Sequence, residues 1–196
     1  MIIPLMAIPP YDTQVSECID KLERQTAVNE VIVSQQKPAK LINKNRLLNR
    51  GLKKAVGNII WHCDADFLAT DDTLLERMEQ KLESGCEAVY PMFHSAVYDA
   101  PKIADGGLFT YKEHLERYGP LDETLLGIGY VTFPLLNWVM CNLKWYCGTE
   151  FMVELNTKPF VKRSKKGHLK TRHQLRSLFQ KVKKELEEIK AWPRKS

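Results

Sequence analysis

The run IIWHCDADFLATDD, from Ile59 to Asp72, opens on apolar and aromatic residues and reaches two aspartates, Asp64 and Asp66, separated by one alanine. Its first residues read as a short buried strand, and the acids mark the bend where that strand gives way to a loop. At such a bend both carboxylates can approach one ligand cluster, with one acid on a hard divalent cation and the other on a neighbouring hydroxyl. A diphosphate-bearing substrate would complete the shell of the cation. The plain alternative is that the acids are simply solvated, as most surface carboxylates are.

Working outward, apolar runs alternate with amphipathic ones. Residues 2–8, 30–33, 58–63 and 86–92 read as strands, and residues 15–24, 44–56 and 74–82 as helices. In the first helix Val15, Cys18, Ile19 and Leu22 fall on one face. The order β-α-β-α-β-α-β predicts an α/β fold with a mostly parallel sheet sandwiched by helices, and places ligands beyond the carboxyl ends of the strands. Asp64 and Asp66 lie at such an end. Phosphate loops of the GxGxxG or GxxxxGK[ST] type are absent, which argues against ordinary dinucleotide or P-loop chemistry. Asp71 and Asp72, before the helix TLLERM, read as an N-cap and a first-turn acid.

The net charge of +5 over 196 residues hides an asymmetry. Residues 158–196 carry 14 Lys/Arg against 3 Glu, and residues 1–157 carry 15 basic against 21 acidic residues. This divides the chain into a body, 1–157, and a basic appendage, 158–196, made of a loop and an amphipathic C-terminal helix. That helix is either docked with a solvated basic face or turned toward an anionic partner such as nucleic acid. The five cysteines form no CxxC pair or zinc-ligand spacing, so reduced thiols and a cytoplasmic location are expected. The opening MIIPLMAIPP lacks a basic n-region and reads as no secretory signal. Residues 127–148 are long enough to span a bilayer but contain Pro134, Asn137, Asn142 and Lys144. A buried helix followed by a strand is expected there, and no transmembrane segment.

Several segments in this order resemble the GT-A fold of nucleotide-sugar glycosyltransferases: IPPYD (Ile8 to Asp12), LERQT (Leu22 to Thr26), NRGL (Asn49 to Leu52) and AVGNIIWHCDADF (Ala55 to Phe67). INKNRLLNRGL (Ile42 to Leu52) and GGLFTYKEHLERYGPLDE (Gly106 to Glu123) are similar to two segments of the β-1,4-galactosyltransferase family. In that fold a D-x-D motif holds a divalent metal, Mn²⁺ or Mg²⁺, against the diphosphate of a nucleotide-sugar, commonly a UDP-sugar. The resemblance implies that Asp66 is a direct metal ligand and that Asp64 contacts the metal or the donor ribose or sugar. Pro9, Pro10 and Tyr11 would shape the nucleotide pocket, with Gln35 near the base. Lys44 stands where the family has a donor-contacting arginine, and Ile42 where it has a phenylalanine against the nucleotide. Gly106 and Gly107 would let the backbone approach the sugar. A third metal ligand is expected from His168, preferred over His173 because Gly167 precedes it. Each of these positions also has an ordinary reading as strand end, solvated charge or turn.

The chain departs from the family where an acidic run should bind the acceptor and supply the base. Here Val131 and Thr132 stand in place of the acids. Asp122 or Glu123, a few residues earlier, would then take the acceptor proton, or a retaining mechanism would use the leaving phosphate. The expected activity is transfer of a sugar to a hydroxyl acceptor, either a glycan or a hydroxylated base in nucleic acid. The alternatives are a degenerate sugar-nucleotide or nucleic-acid binding module and a nucleotidyltransferase. His62 is expected to be a core or pocket-wall histidine.

Overall fold

The computed structural model describes residues 2–7, 12–27, 30–35, 43–64, 67–94, 101–104, 106–125 and 133–155, with the backbone alone at 2–7, 12–15, 35 and 133. Strand β1 (Ile2–Ala7), helix α1 (Asp12–Glu23), strand β2 (Glu30–Gln35), helix α2 (Lys44–Lys54) and strand β3 (Ile59–Trp61) follow in sequence. Strand β1 pairs in parallel with β2 from Ile2↔Glu30 to Ala7↔Gln35, and on its other side with β3 at Ile2↔Ile60. These are the β-α-β units that the alternating pattern implies, because parallel neighbours need a crossover helix between them.

Beyond β3 come β4 (Phe67–Ala69), α3 (Leu74–Glu83), β5 (Ala88–Phe93), β6 (Lys102–Ile103), β7 (Phe109–Tyr111), α4 (Lys112–Tyr118), α5 (Phe133–Asn142) and β8 (Trp145–Leu155). The sheet order is β2-β1-β3-β7-β5-β8-β4, with β6 alongside β5. The sheet is thus more mixed than the run of β-α-β units suggests. Strand β7 inserts antiparallel between β3 and β5, and β4 closes the far edge antiparallel to β8, while β5 and β8 are parallel. The short strands β6 and β7 both pair antiparallel with β5, an arrangement that needs no crossover helix.

Side chains alternate across the sheet as a two-residue period requires. On β3, Ile60 enters the cluster with Ala88, Tyr90, Leu108, Leu115, Leu135 and Val139, whereas Trp61 enters the cluster with Cys18, Leu22, Leu74, Met78, Phe109 and Phe151. Helices α1 and α3 cover one face, and α4 and α5 the other. Trp61 is fully buried, and its indole Nε1 donates to the Gly107 carbonyl at 3.0 Å, which is why an indole is tolerated at the centre of the core. The segment 127–148 resolves as expected into a helix and a strand where it is described, and no helix among the described residues is long and apolar enough to cross a membrane.

Strand β8 slips against β5 between Tyr90↔Cys147 and Met92↔Met152. Pro91 lies opposite the slip, with its carbonyl turned to the other neighbour, where it accepts from the Ala104 amide at 2.9 Å, and the extra residues of β8 form a bulge. The bulge is tied down by the Tyr146 hydroxyl, which donates to Glu150 Oε1 at 2.6 Å, and by Arg77 Nη2, which donates to the Glu150 carbonyl at 3.2 Å.

Helix α3 is capped from a distance. Its N-cap residue Thr73 makes no side-chain cap bond. Buried Gln25, just past α1, instead accepts from the Leu75 amide at 3.1 Å and donates to the Asp71 carbonyl at 2.6 Å. Asp71 is not the N-cap: it accepts from the Thr73 amide and forms a two-pronged pair with Arg77 at 2.8 and 3.0 Å. That pairing holds its carboxyl well below the usual carboxylate range, against the opposing effect of burial and with lesser help from the Thr73 hydroxyl and amide.

Candidate active site

Helix α2 begins at Asn43, whose side chain accepts from the Arg46 amide at 2.9 Å as an N-cap. The first helical residue is Lys44, a placement that local helix rules disfavour, since the positive end of the helix dipole repels an ammonium. Lys44 is nonetheless 8% exposed, and its Nζ lies 2.5 Å from Asp64 Oδ1. Asp64 compensates the buried ammonium. A local preference is thus overridden to place a cation against the first acid of the D-x-D stretch.

Asp64 leaves the end of β3 in a groove made by a second backbone. The amides of His62 and Asp64 donate to the carbonyls of Leu108 and Gly106, at 2.7 and 3.2 Å, so the 62–64 segment continues alongside 106–108 past the end of the ladder. A Cβ on Gly106 would run into the Asp64 carboxylate, with the Asp64 Cγ at 2.6 Å. A Cβ on Gly107 would meet the Pro91 ring at 2.7 Å. The glycine pair is therefore required by close packing, one member against the acid and the other against β5.

His62 is buried behind Asp64, with Nε2 3.9 Å from Asp64 Oδ1 and without a hydrogen-bond partner among the described residues. Burial first, and the Lys44 ammonium second, lower its pKa to about 3 against the raising effect of Asp64, so the ring stays neutral near pH 7. It lines a small apolar cavity with Leu48, Ile60, Leu115 and Tyr118, as expected of a pocket-wall histidine.

The 121–125 segment is clamped onto α2. Asn49 Oδ1 accepts from the Leu121 amide at 2.9 Å, and its Nδ2 donates to the Leu121 carbonyl at 2.9 Å and to Glu123 Oε1 at 3.0 Å. Asn45 donates to the Asp122 carbonyl and Asn43 to the Glu123 carbonyl, both at 2.8 Å. The Asp122 carboxylate accepts from the Thr124 amide and hydroxyl, at 2.9 and 2.6 Å. Both Asp122 and Glu123 are exposed, and Arg46 approaches Glu123 at 3.9 Å. The three asparagines of this clamp are residues that sequence reading did not single out. Their spacing along α2 was visible, but the partner segment lies more than seventy residues away.

The structure thus brings together Lys44, Asp64, Gly106 and Gly107, and joins Asp122 and Glu123 to the same helix. Pro9, Pro10, Tyr11, Ile42, Asp66 and His168 lie outside the described residues, as does the side chain of Gln35. Among the described residues no three metal-ligating side chains converge. Of the expected ligand set only Asp64 is described, and its half-buried carboxylate is the oxygen, anionic donor that suits a hard divalent cation.

No protein-family model matches the sequence, and no curated protein matches it. Solved structures do share its architecture. The catalytic domain of Drosophila β1,4-galactosyltransferase 7, in complex with xylobiose, superposes with a TM-score of 0.65 over 84% of this chain and 74% of that one, at 19% identity. A mutant of that enzyme in complex with manganese, UDP-Gal and xylobiose gives 0.61 over 82% and 76%, also at 19% identity. The mannosyltransferase PcManGT from Pyrobaculum calidifontis, in complex with GDP-Man and Mn²⁺, gives 0.60 over 83% and 57%, at 15% identity. At such identities the likeness is one of fold, and function has to be argued from the site. The chain has the GT-A glycosyltransferase fold.

Proposed function

We propose that the protein is a metal-dependent glycosyltransferase that moves a sugar from a nucleotide-sugar, a UDP-sugar in the first instance, to a hydroxyl acceptor on a glycan or a hydroxylated nucleic-acid base. One observation carries the reading. Asp64 stands at the carboxyl end of β3, ion-paired to buried Lys44 and packed under Gly106, in a fold whose solved relatives were captured with manganese and nucleotide sugars. Ligands of open α/β sheets bind beyond the strand carboxyl ends, so the acid is where a diphosphate would arrive.

In this reading Asp64, Asp66 and His168 hold the divalent cation, which when bound offsets the charge of the diphosphate leaving group. Lys44 is poised to exchange Asp64 for a donor oxygen. Pro9, Pro10, Tyr11, Gln35 and Ile42 frame the nucleotide, and Gly106 and Gly107 keep the sugar side free of side chains. Asp122 and Glu123, held by the asparagine clamp, are the carboxylates offered for the acceptor proton. The body, 1–157, carries the donor site, and the basic appendage, 158–196, adds charge for the acceptor.

The test is calorimetric titration of UDP-sugars and GDP-sugars with and without Mn²⁺. The reading predicts that at least one donor binds only with metal, and that Asp66→Ala abolishes the metal dependence. Binding that ignores metal in the parent protein would contradict it. Metal-dependent binding without any transfer would leave the degenerate binding module.

A further inference from the structure

Helix α2 contains five cations, Lys44, Arg46, Arg50, Lys53 and Lys54, and no acid, although the body around it is acidic overall. Lys44 is turned inward to Asp64, and the other four are exposed. Positions 46, 50, 53 and 54 follow the i, i+4, i+7, i+8 spacing of a single helix face. At 1.5 Å per residue the stripe is about 12 Å long, with Arg46 and Arg50 about 6 Å apart along the axis and Lys53 and Lys54 clustered at its far end. Among the described residues Arg50, Lys53 and Lys54 have no ion-pair partner, and Arg46 makes only the long contact to Glu123. Lys53 also borders an open groove of about 440 Å³ whose other cation, Lys112, is paired with Glu116 at 3.7 Å, so among the described residues of this groove the unpaired charge is confined to the helix.

We infer that this face of α2 is a docking surface for the phosphate backbone of a nucleic acid. Four exposed cations along about 12 Å of one face match the charge of a polyanion, and the two guanidinium groups can grip phosphate oxygens in pairs. A membrane surface fits less well. A helix that lies in a bilayer interface needs an apolar face for the acyl chains, and the α2 leucines Leu47 and Leu48 are spent in the core at 2% and 6% exposure. The stripe begins within one turn of Lys44, so a strand lying along it runs toward the end of β3. The inference concerns binding and does not depend on sugar transfer, so it stands or falls separately from the proposed activity.

The experiment is fluorescence anisotropy of the full chain with a short labelled DNA duplex, between about 50 and 200 mM salt. Two variants are compared with the parent: Arg50→Ala/Lys53→Ala/Lys54→Ala, and a control with the same loss of charge elsewhere, Arg24→Ala/Lys102→Ala/Lys144→Ala. All three proteins carry the same C-terminal segment, so its contribution cancels. The stripe variant should lose about 2 to 3 from the slope of log K against log salt, at about 0.9 per phosphate contact removed. It should also bind at least about tenfold more weakly at the upper salt, while the control keeps the parent slope. Equal slopes for the two variants, or no duplex binding by the parent at about 50 mM salt, would overturn the inference. So would binding to phosphatidylserine vesicles with none to the duplex, which would assign the stripe to a membrane.

Discussion

Lys44 and Asp64 form the contact on which the site turns, and each loses something different when its partner goes. Lys44→Met would leave the Asp64 carboxylate, 23% exposed, without its counter-charge. The cost should be about 1–3 kcal/mol of stability, below that of a fully buried pair because water still reaches one side, and urea denaturation would measure it. Gly106→Ala acts on the same acid from the opposite wall. Its methyl group needs the volume that the Asp64 carboxylate occupies, so the acid must move. Metal-dependent donor binding should fall at least about tenfold while the melting temperature drops by only a few degrees. A Gly106→Ala protein with parental donor binding would mean that the position of Asp64 does not matter to the site. The position of Asp64 at a strand end was legible in the sequence, because an apolar run that stops at an acid is a local signal. The Lys44 contact was not, since a lysine at a helix start looks the same whether it is solvated or buried.

At the scale of elements, helix α3 owes its start to Gln25 and its anchorage to Asp71 and Arg77. Gln25→Ala strands the Leu75 amide and the Asp71 carbonyl together, and should cost about 1–2 kcal/mol, read as a lowered thermal midpoint. The Asp71–Arg77 pair makes a prediction about acid. The folded state holds the Asp71 carboxyl below its ordinary pKa of 3.8, so the pair stabilises the fold above about pH 4, and that contribution is lost as pH falls below it. With the Asp71 side chain 43% exposed, the loss should stay below about 1 kcal/mol. In Asp71→Asn the corresponding part of the acid limb should be flatter, which denaturation curves at about pH 6 and pH 3 would show. The long elements were legible because each carries several turns of one period. Helices α1, α2 and α3 and strands β1, β2, β3 and β5 fall within a few residues of where the pattern put them. The three-residue strands β4 and β7 and the two-residue β6 were missed, because so few residues cannot display a period. The capping acid before α3 was misassigned because Gln25 reaches the helix start from the turn after α1, a contact with no local signature.

At the scale of the whole described body, one helix ties three features together. The first turn of α2 carries Lys44 to Asp64, its inner asparagines hold the 121–125 segment with Asp122 and Glu123, and its outer face carries the basic stripe. The clamp predicts a separation of roles: Asn49→Ala should raise the acceptor KM or lower kcat while leaving donor affinity within about twofold, as expected of a residue that positions a segment without touching the donor. A parallel loss of donor affinity would place Asn49 in the donor pocket. The GT-A architecture was legible from motif order, yet no single short motif decides it, and the antiparallel half of the sheet rests on pairings between strands distant in sequence. The most direct check is nucleoside diphosphate release from a UDP-sugar by the purified protein with Mn²⁺, beside Asp64→Asn and a chelator control. A glycosyltransferase site at the end of β3 predicts release that needs the metal and drops at least about a hundredfold in Asp64→Asn. Release at the parental rate in Asp64→Asn, or none from any donor, would contradict it.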